Sequence, residues 1–191
     1  MSKHQHFKIY KPVGYLSQFV NNQNRRRNKK LLGELGQFPE GIMSIGRLDE
    51  KSEGLLLLTT DGRVSFDVRS KSVEKEYYVQ VDGVITEDAV ESLKKGVEIL
   101  VDKKKYLTLP SKAAILDPKP DVAPPKRERG ERHGPTSWLS ITINEGKFRQ
   151  VRKMTAAVGF PTLRLIRMRI GQEKIETLLP GDVVEVAKFN L

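Results

Sequence analysis

One carboxylate in the sequence, that of Asp49, stands where it could take part in chemistry. It lies in GRLDEKSEGLLLLTTDG, residues 46–62, where a short polar stretch flanked by glycines precedes the most apolar run of the chain. A side chain displayed beside a rigid strand can act as a nucleophile, a general base, a metal ligand or only a cap of the local backbone. The residue types alone do not separate these four roles.

Cationic side chains cluster in a second segment, EGKFRQVRKMTAAVGFP, residues 145–161. Its Gly-Phe-Pro ending is typical of the C-terminus of a helix. At about 100° per residue, Arg149, Arg152 and Lys153 share one face of that helix, and apolar residues share the opposite face. The cationic face could bind phosphates or pair with a carboxylate, and the alternative is an ordinary solvated surface. In the strand that follows, LRLIRMRIG, we expect a further cationic series of Arg164, Arg167 and Arg169.

The elements that must position these residues include one well-marked strand and one well-marked helix. Residues 55–58 are uninterrupted leucines between Gly54 and Thr59, which predicts a strand buried on both faces at the centre of a sheet. Thr86 is a typical N-cap, and it predicts a helix that runs to Lys95 before Gly96.

Further strands are predicted from β-branched and alternating residues at 7–10, 76–81, 97–101, 113–116, 138–143, 163–170 and 183–186. After Asp61 and Gly62, residues 64–68 fit either a hairpin strand or a short helix. The pattern indicates an α+β fold with a central, mainly antiparallel sheet and flanking helices. We expect a single domain over residues 1–191.

Two segments lack the apolar residues that a packed element needs. The run NNQNRRRNKK, residues 21–30, includes Arg25, Arg26 and Arg27, and residues 117–135 form a proline-rich basic stretch with no period, so we predict an irregular loop there. Each segment is either a solvated surface loop or a contact to a phosphate backbone.

Composition excludes several classes of site. The chain has no cysteine and only three histidines, which argues against disulfides and a zinc site. No apolar stretch approaches the ~20 residues that span a bilayer, so we expect a cytoplasmic protein without a membrane partner. The net charge of +10 favours a polyanion such as RNA, although charge alone does not establish binding.

Three segments together, in this order, resemble the RsuA-type family of pseudouridine synthases: GRLDEKSEGLLLLTTDG, KEYYVQVDG and EGKFRQVRKMTAAVGFPTLRLIRMRIG. The resemblance spans nearly the whole chain, and residues 135–168 are similar to the E-type subgroup of large-subunit synthases almost residue for residue. It implies the family's fold with a basic cleft, and conversion of a specific uridine in 23S ribosomal RNA to pseudouridine. It implies neither a cofactor nor a metal, because the reaction involves no redox change, group transfer or activated water.

The resemblance also implies a role for each matching position. Asp49 corresponds to the aspartate that attacks a flipped-out nucleoside, by a route through C1′ with a glycal intermediate or by addition to C6. Tyr77 corresponds to the tyrosine that packs against the flipped base, and Arg152 to the arginine that pairs with the aspartate. An adjacent guanidinium would keep a partly buried carboxylate ionised. We predict RNA contacts from Arg47, Lys75, Arg149, Gln150, Lys153, Arg25, Arg26 and Arg27.

The sequence departs from the family pattern in one large respect. Many members carry a small N-terminal RNA-binding module of the S4 type, whereas this chain starts with the catalytic region at FKIYKPVG, so we expect the catalytic domain to recognise RNA itself, as a monomer. Thr60 and Lys153 replace the more usual Asn and Arg. The expected partner is 23S ribosomal RNA, naked or in partly assembled large-subunit particles.

Two other functional classes compete with this interpretation. One is a non-catalytic RNA-binding or ribosome-assembly factor with the same scaffold and basic surface. The other is a hydrolase or nuclease that uses a divalent metal, for which the candidate carboxylates are Asp49, Glu53 and Asp61.

Overall fold

The computed structural model describes residues 4–20, 28–70, 73–126 and 130–191, without the side chains of residues 70 and 131. Within these ranges the chain forms thirteen strands and three helices. The strands are β1 (His6–Lys11), β2 (Tyr15–Leu16), β3 (Lys30–Leu31), β4 (Met43–Ile45), β5 (Glu53–Thr59), β6 (Lys75–Asp82), β7 (Glu98–Val101), β8 (Lys104–Leu107), β9 (Lys112–Ile115), β10 (Thr136–Ile143), β11 (Thr162–Ile170), β12 (Glu173–Lys174) and β13 (Val183–Val186). The helices are α1 (Gly62–Ser70), α2 (Glu87–Lys95) and α3 (Gln150–Ala157).

The chain divides into two compact units. Unit 1 comprises Met1–Val73 and Arg167–Leu191, and unit 2 comprises Glu74–Ile166. Strand β11 passes from unit 2 into unit 1 along the chain. The single domain over residues 1–191 stays a prediction.

Unit 1 is built around β5, and the predicted buried strand is confirmed. All seven residues of β5 are buried, and the strand pairs antiparallel with both β1 and β4. On its other edge β1 pairs antiparallel with β13. Apolar side chains from β1 and β5 pack with Leu32 to form a hydrophobic core. The burial of their apolar surface stabilises unit 1. The core members are Phe7, Ile9, Leu32, Leu56 and Leu58.

Gly54 allows β11 to approach β5 closely. Its φ is +107°, and a Cβ atom there would lie 2.4 Å from the carbonyl oxygen of Arg167 and 2.6 Å from its nitrogen. Real Cβ atoms do not come so near to backbone, and a positive φ disfavours other residues as well. The local geometry therefore requires glycine.

Residues 62–70 form a helix, which decides between the two structures that the sequence left open. The carboxylate of Asp61 accepts hydrogen bonds from the backbone N–H groups of Arg63 (2.8 Å) and Val64 (3.4 Å), as an N-cap does. These bonds favour the charged carboxylate and lower the pKa of Asp61, with the Arg63 bond as the largest cause. Val68 is buried, whereas Phe66 is 63% exposed.

Unit 2 contains a mainly antiparallel sheet and the predicted N-capped helix. Strand β10 pairs antiparallel with β6 on one side and with β9 on the other. The hydroxyl of Thr86 accepts a hydrogen bond from the N–H of Ala89 (3.3 Å), and Gly96 ends α2 with a φ of +97°, so the predicted bounds of this helix are confirmed. Strands β7 and β8 form a hairpin whose turn residues, Asp102 and Lys103, both have positive φ.

The prediction for residues 145–161 is wrong at the start of the helix. Helix α3 begins at Gln150, and Arg149 lies outside it with a left-handed φ of 53°. Arg149 therefore does not belong to the cationic helix face that we expected. The reason is local: the side chain of Gln150 accepts from the N–H of Lys147 (2.9 Å) and donates to Glu145 (2.6 Å), which holds the preceding residues as a loop.

The described part of residues 117–135 contains one short 3-10 turn, Glu131–His133, and otherwise no regular element. None of the helices in the described ranges is long and apolar enough to cross a membrane.

Candidate active site

The candidate nucleophile lies in a short loop of unit 1 that joins β4 to β5. Asp49 is half-buried, and its carbonyl oxygen accepts a hydrogen bond from the N–H of Ser52 at 3.0 Å. Arg47 is exposed two residues earlier. The loop thus leads directly into the fully buried strand β5, which is the rigid support that the sequence predicted.

The backbone on both sides of Asp49 is fixed by residues that follow β1. The hydroxyl of Ser17 accepts a hydrogen bond from the N–H of Leu48 (2.9 Å) and donates one to the carbonyl of Leu48 (2.8 Å). The N–H of Gly14 donates to the carbonyl of Glu50 at 2.7 Å. We call these four residues, Gly14, Ser17, Leu48 and Glu50, the aspartate clamp. The clamp limits the backbone freedom of Asp49, and such limits favour a defined attack geometry.

A buried lysine lies close to this loop. Lys11, at the end of β1, is 0% exposed, and its Nζ donates to the carbonyls of Pro12 (2.9 Å) and Tyr15 (2.8 Å). Burial lowers the pKa of Lys11 from 10.5 to about 7, because the ammonium loses its hydration. The positive charge of Arg167 lowers the pKa further, while three carboxylates, those of Glu53, Asp49 and Glu50, oppose the shift. Sequence reasoning missed Lys11, because β1 also carries His6 and Lys8 and its pattern does not distinguish Lys11 from them.

Two more buried polar residues surround Lys11. Glu53 accepts a hydrogen bond from the hydroxyl of Tyr10 at 3.2 Å, and both side chains are buried. Arg167 is also buried, its Nε donates to the carbonyl of Leu55 at 2.8 Å, and its buried Nη2 has no hydrogen-bond partner among the described residues. Lys11 thus shares this part of unit 1 with a second basic side chain, Arg167, and with the carboxylate of Glu53.

The other two predicted catalytic residues lie in unit 2. Tyr77 is buried in β6, opposite Ile141 of β10. Arg152 is half-buried on α3, and its Nη1 lies 3.4 Å from the carbonyl oxygen of Thr162. A common site for Asp49, Tyr77 and Arg152 stays a prediction.

The residues predicted to contact RNA differ in their burial and in their hydrogen-bond partners. Gln150 is buried and bonded to Glu145, and the Nζ of Lys153 donates to the carbonyl of Leu100 at 2.7 Å, so both side chains have roles within unit 2. Arg149 is exposed and Lys75 is half-buried at the start of β6. Arg25, Arg26 and Arg27 lie outside the described residues.

The metal-dependent alternative can be compared with the positions of its carboxylates. Glu53 is bonded to Tyr10, and Asp61 caps α1. Among residues 4–20, 28–70, 73–126 and 130–191, no group of three or more His, Asp and Glu side chains is arranged to hold a metal ion.

Comparisons with known proteins agree on one family. Residues 5–157 match a family model described as RNA pseudouridylate synthase. The chain is 43% identical over 182 residues to the ribosomal large subunit pseudouridine synthase E of Vibrio vulnificus, which covers 93% of this chain and 73% of that protein. It is 42% identical over 188 residues to the synthase E of Xanthomonas axonopodis pv. citri, covering 95% and 94%.

The fold has a counterpart among solved structures. A structure described as "Crystal structure of pseudouridylate synthase" superposes with a TM-score of 0.76 at 27% identity, covering 97% of this chain and 71% of that one.

Proposed function

Because this chain belongs to the RNA pseudouridylate synthase family, we propose that it converts a uridine of large-subunit ribosomal RNA into pseudouridine, with Asp49 as the nucleophile. The chain is an isomerase of RNA uridine, and the family assignment made from its three motifs is confirmed. The observation that carries the role of Asp49 is the aspartate clamp, which fixes the backbone on both sides of this half-buried carboxylate.

The reaction breaks the bond between C1′ and N1 of uridine and forms a bond between C1′ and C5. In the proposed route a carboxylate oxygen of Asp49 bonds to C1′ while the uracil leaves with the electron pair of the C1′–N1 bond. The uracil then turns and C5 bonds to C1′ as the bond between C1′ and Asp49 breaks, which frees the carboxylate. C5 then loses its proton to solvent, and N1 gains one. The nucleophile in this route is the carboxylate of Asp49, whose negative charge interacts with Lys11.

The proposal assigns Tyr77 and Arg152 supporting roles. A flat aromatic such as Tyr77 can pack against the detached uracil and limit its escape into water, and its burial in β6 gives it a fixed orientation. Arg152 would pair with Asp49, since a guanidinium binds a carboxylate through two parallel N–H groups. No cofactor is part of the proposal, because the product is an isomer of the substrate, with no net oxidation or reduction and no group passed to another molecule.

The proposed substrate is 23S ribosomal RNA, free or in partly assembled large-subunit particles, and the proposed active form is a monomer. The target uridine must leave its stack at a cost of a few kcal/mol, which phosphate contacts can offset. Arg47 and Arg149, both exposed, are proposed to supply such contacts, together with Lys75, Lys153, Gln150 and Arg25, Arg26 and Arg27.

Tritium release tests the proposal. The RNA is 23S ribosomal RNA that carries 5-tritiated uridine, and the proteins are the wild type, Asp49→Asn, and Asp121→Asn as a matched control at an exposed position. We expect release by the wild type and the control, no release by Asp49→Asn, and similar RNA affinity for all three, because the charge removed serves chemistry. If Asp49→Asn released tritium at the wild-type rate, Asp49 would not be the nucleophile. If the wild type released none from RNA or from immature particles, a binding factor would be the better description.

A further inference from the structure

Unit 2 has an apolar and cationic surface in which Arg149 is the one residue that the proposed function uses. It consists of the β7–β8 hairpin, the following Leu109, and residues 145–149, and we call it the hairpin surface. Four of its large apolar side chains are exposed: Leu100, Leu107, Leu109 and Phe148, of which Phe148 is the most exposed at 69%. Contiguous exposed apolar groups on a protein commonly mark an interaction site.

Side-chain hydrogen bonds join the two parts of the hairpin surface. Glu145 accepts from the hydroxyl of Tyr106 in β8 (2.5 Å) and from the N–H of Leu109 (2.9 Å). The Nζ of Lys153 donates to the carbonyl of Leu100 in β7 and lies 5.4 Å from the ring centroid of Phe148. Phe148 is therefore held beside β7, and the exposed groups belong to one connected piece of structure.

The hairpin surface is also positively charged. Residues 98–107 and 145–149 contain five Lys and Arg residues against three carboxylates. Two of these carboxylates have partners within the surface, because Glu98 pairs with Lys105 at 3.0 Å and Glu145 accepts the hydrogen bonds given above. Lys103 and Lys104 are exposed at the turn of the hairpin. The uncompensated charge is thus cationic and attracts phosphate.

We propose that the hairpin surface binds a single-stranded segment of the RNA substrate, with Phe148 stacking on an unpaired base and Lys103 and Lys104 contacting phosphates. This inference rests on the proposed function. A duplex presents phosphates at its surface and keeps its bases stacked, so it offers little to exposed leucine and phenylalanine side chains. An unpaired strand presents both a flat apolar base and a charged backbone, which matches the two kinds of group on this surface.

Binding to a labelled oligouridylate of about ten nucleotides tests the proposal, with a duplex of equal length as the second probe. Phe148→Ala should weaken binding of the single strand by at least about fivefold, since removal of one stacking partner has effects of this order or larger. Lys103→Ala/Lys104→Ala should reduce the log-log salt slope of single-strand binding by roughly 0.7 for each phosphate that is no longer neutralised. The duplex should respond less than the single strand to Phe148→Ala.

Matched controls come from unit 1. Phe66→Ala removes a phenylalanine of similar exposure, 63%, and Lys174→Ala/Lys188→Ala removes two exposed lysines. These variants should bind both probes as the wild type does. All the changed side chains are exposed, so melting temperatures should stay near the wild-type value.

The result that overturns the proposal is an unchanged affinity and salt slope in the hairpin variants, or an equal loss in the unit 1 controls. A change in self-association by light scattering without a change in RNA affinity would also overturn it, because the surface would then be a protein interface. Tritium release separates the two ideas. Release by a protein whose hairpin variants bind normally would refute the hairpin surface and leave the proposed function standing.

Discussion

Lys11 should make the free energy of unfolding depend on pH between about pH 7 and pH 10.5. The folded protein lowers the pKa of Lys11 to about 7, whereas the unfolded chain has the ordinary value of 10.5. Between these two values the unfolded state binds more protons than the folded state, so the free energy of unfolding rises with pH. Below pH 7 the lysine is charged in both states, and the full cost of its burial remains.

The size of the effect follows from the two pKa values. Going from pH 7 to pH 9, the Lys11 contribution to the free energy of unfolding should increase by about 2 kcal/mol. Lys11→Met removes the titrating group and keeps a chain of similar length. It also removes the hydrogen bonds to the part-buried carbonyls of Pro12 and Tyr15, which costs roughly 0.5–1.5 kcal/mol for each bond at either pH. The diagnostic quantity is therefore the difference between the two pH values and not the stability at one of them.

Urea unfolding at pH 7 and pH 9 measures this difference. The stability of the wild type relative to Lys11→Met should rise by about 2 kcal/mol between the two conditions. Lys188→Met, at an exposed position, should show no comparable change and controls for the other groups that titrate in this range. If the wild type and Lys11→Met changed in parallel, the buried-ammonium argument would be refuted. If Lys11→Met did not fold, Lys11→Gln would replace it in the same comparison.

Three further predictions follow from contacts within unit 1 or within unit 2. Ser17→Ala should lower the rate of tritium release about tenfold or more with little change in RNA affinity, because the hydrogen bonds to Leu48 hold the candidate nucleophile; equal rates would show that the clamp is dispensable. Gly54→Ala should lower the melting temperature by several degrees, as thermal unfolding would record, because its Cβ would meet backbone at 2.4 Å. Glu145→Ala should increase hydrogen exchange at the N–H of Leu109, and unchanged protection there would contradict the role given to Glu145.

The parts of the fold that the sequence predicted are those with a local cause. The leucine run of β5 and the N-cap of α2 each depend on residues within a few positions of one another, so their patterns were sufficient. The predicted start of α3 was wrong because the spacing of Arg149, Arg152 and Lys153 fits one helix face, whereas hydrogen bonds of Gln150 hold the residues before it as a loop.

The sequence predicted the motif that contains Asp49, but it did not predict the residues that support Asp49 in the folded structure. The segment around Asp49 identified the carboxylate, but its supports come from distant positions: Ser17 lies 31 residues before Leu48. The burial of Lys11 had no local signal either, since lysine is usually exposed and only the assembled unit encloses it. Arg167 lies in a strand, as expected, but its side chain is buried and donates a hydrogen bond to the carbonyl of Leu55.

The discontinuity of unit 1 has a consequence for the order of events during synthesis. Strand β1, which leads into the aspartate clamp, is paired on one edge with β13, so His6 and Val186 are partners across nearly the whole chain. Residues Glu74–Ile166 belong to the other unit and leave the ribosome before Arg167–Leu191. Unit 2 can therefore fold while unit 1 still lacks β13 and Arg167, because domains form as their residues emerge. Lys11 and the aspartate clamp lie within residues 11–50, but β13 and Arg167 can join them only after Glu74–Ile166 has been synthesised, so unit 1 is completed after unit 2.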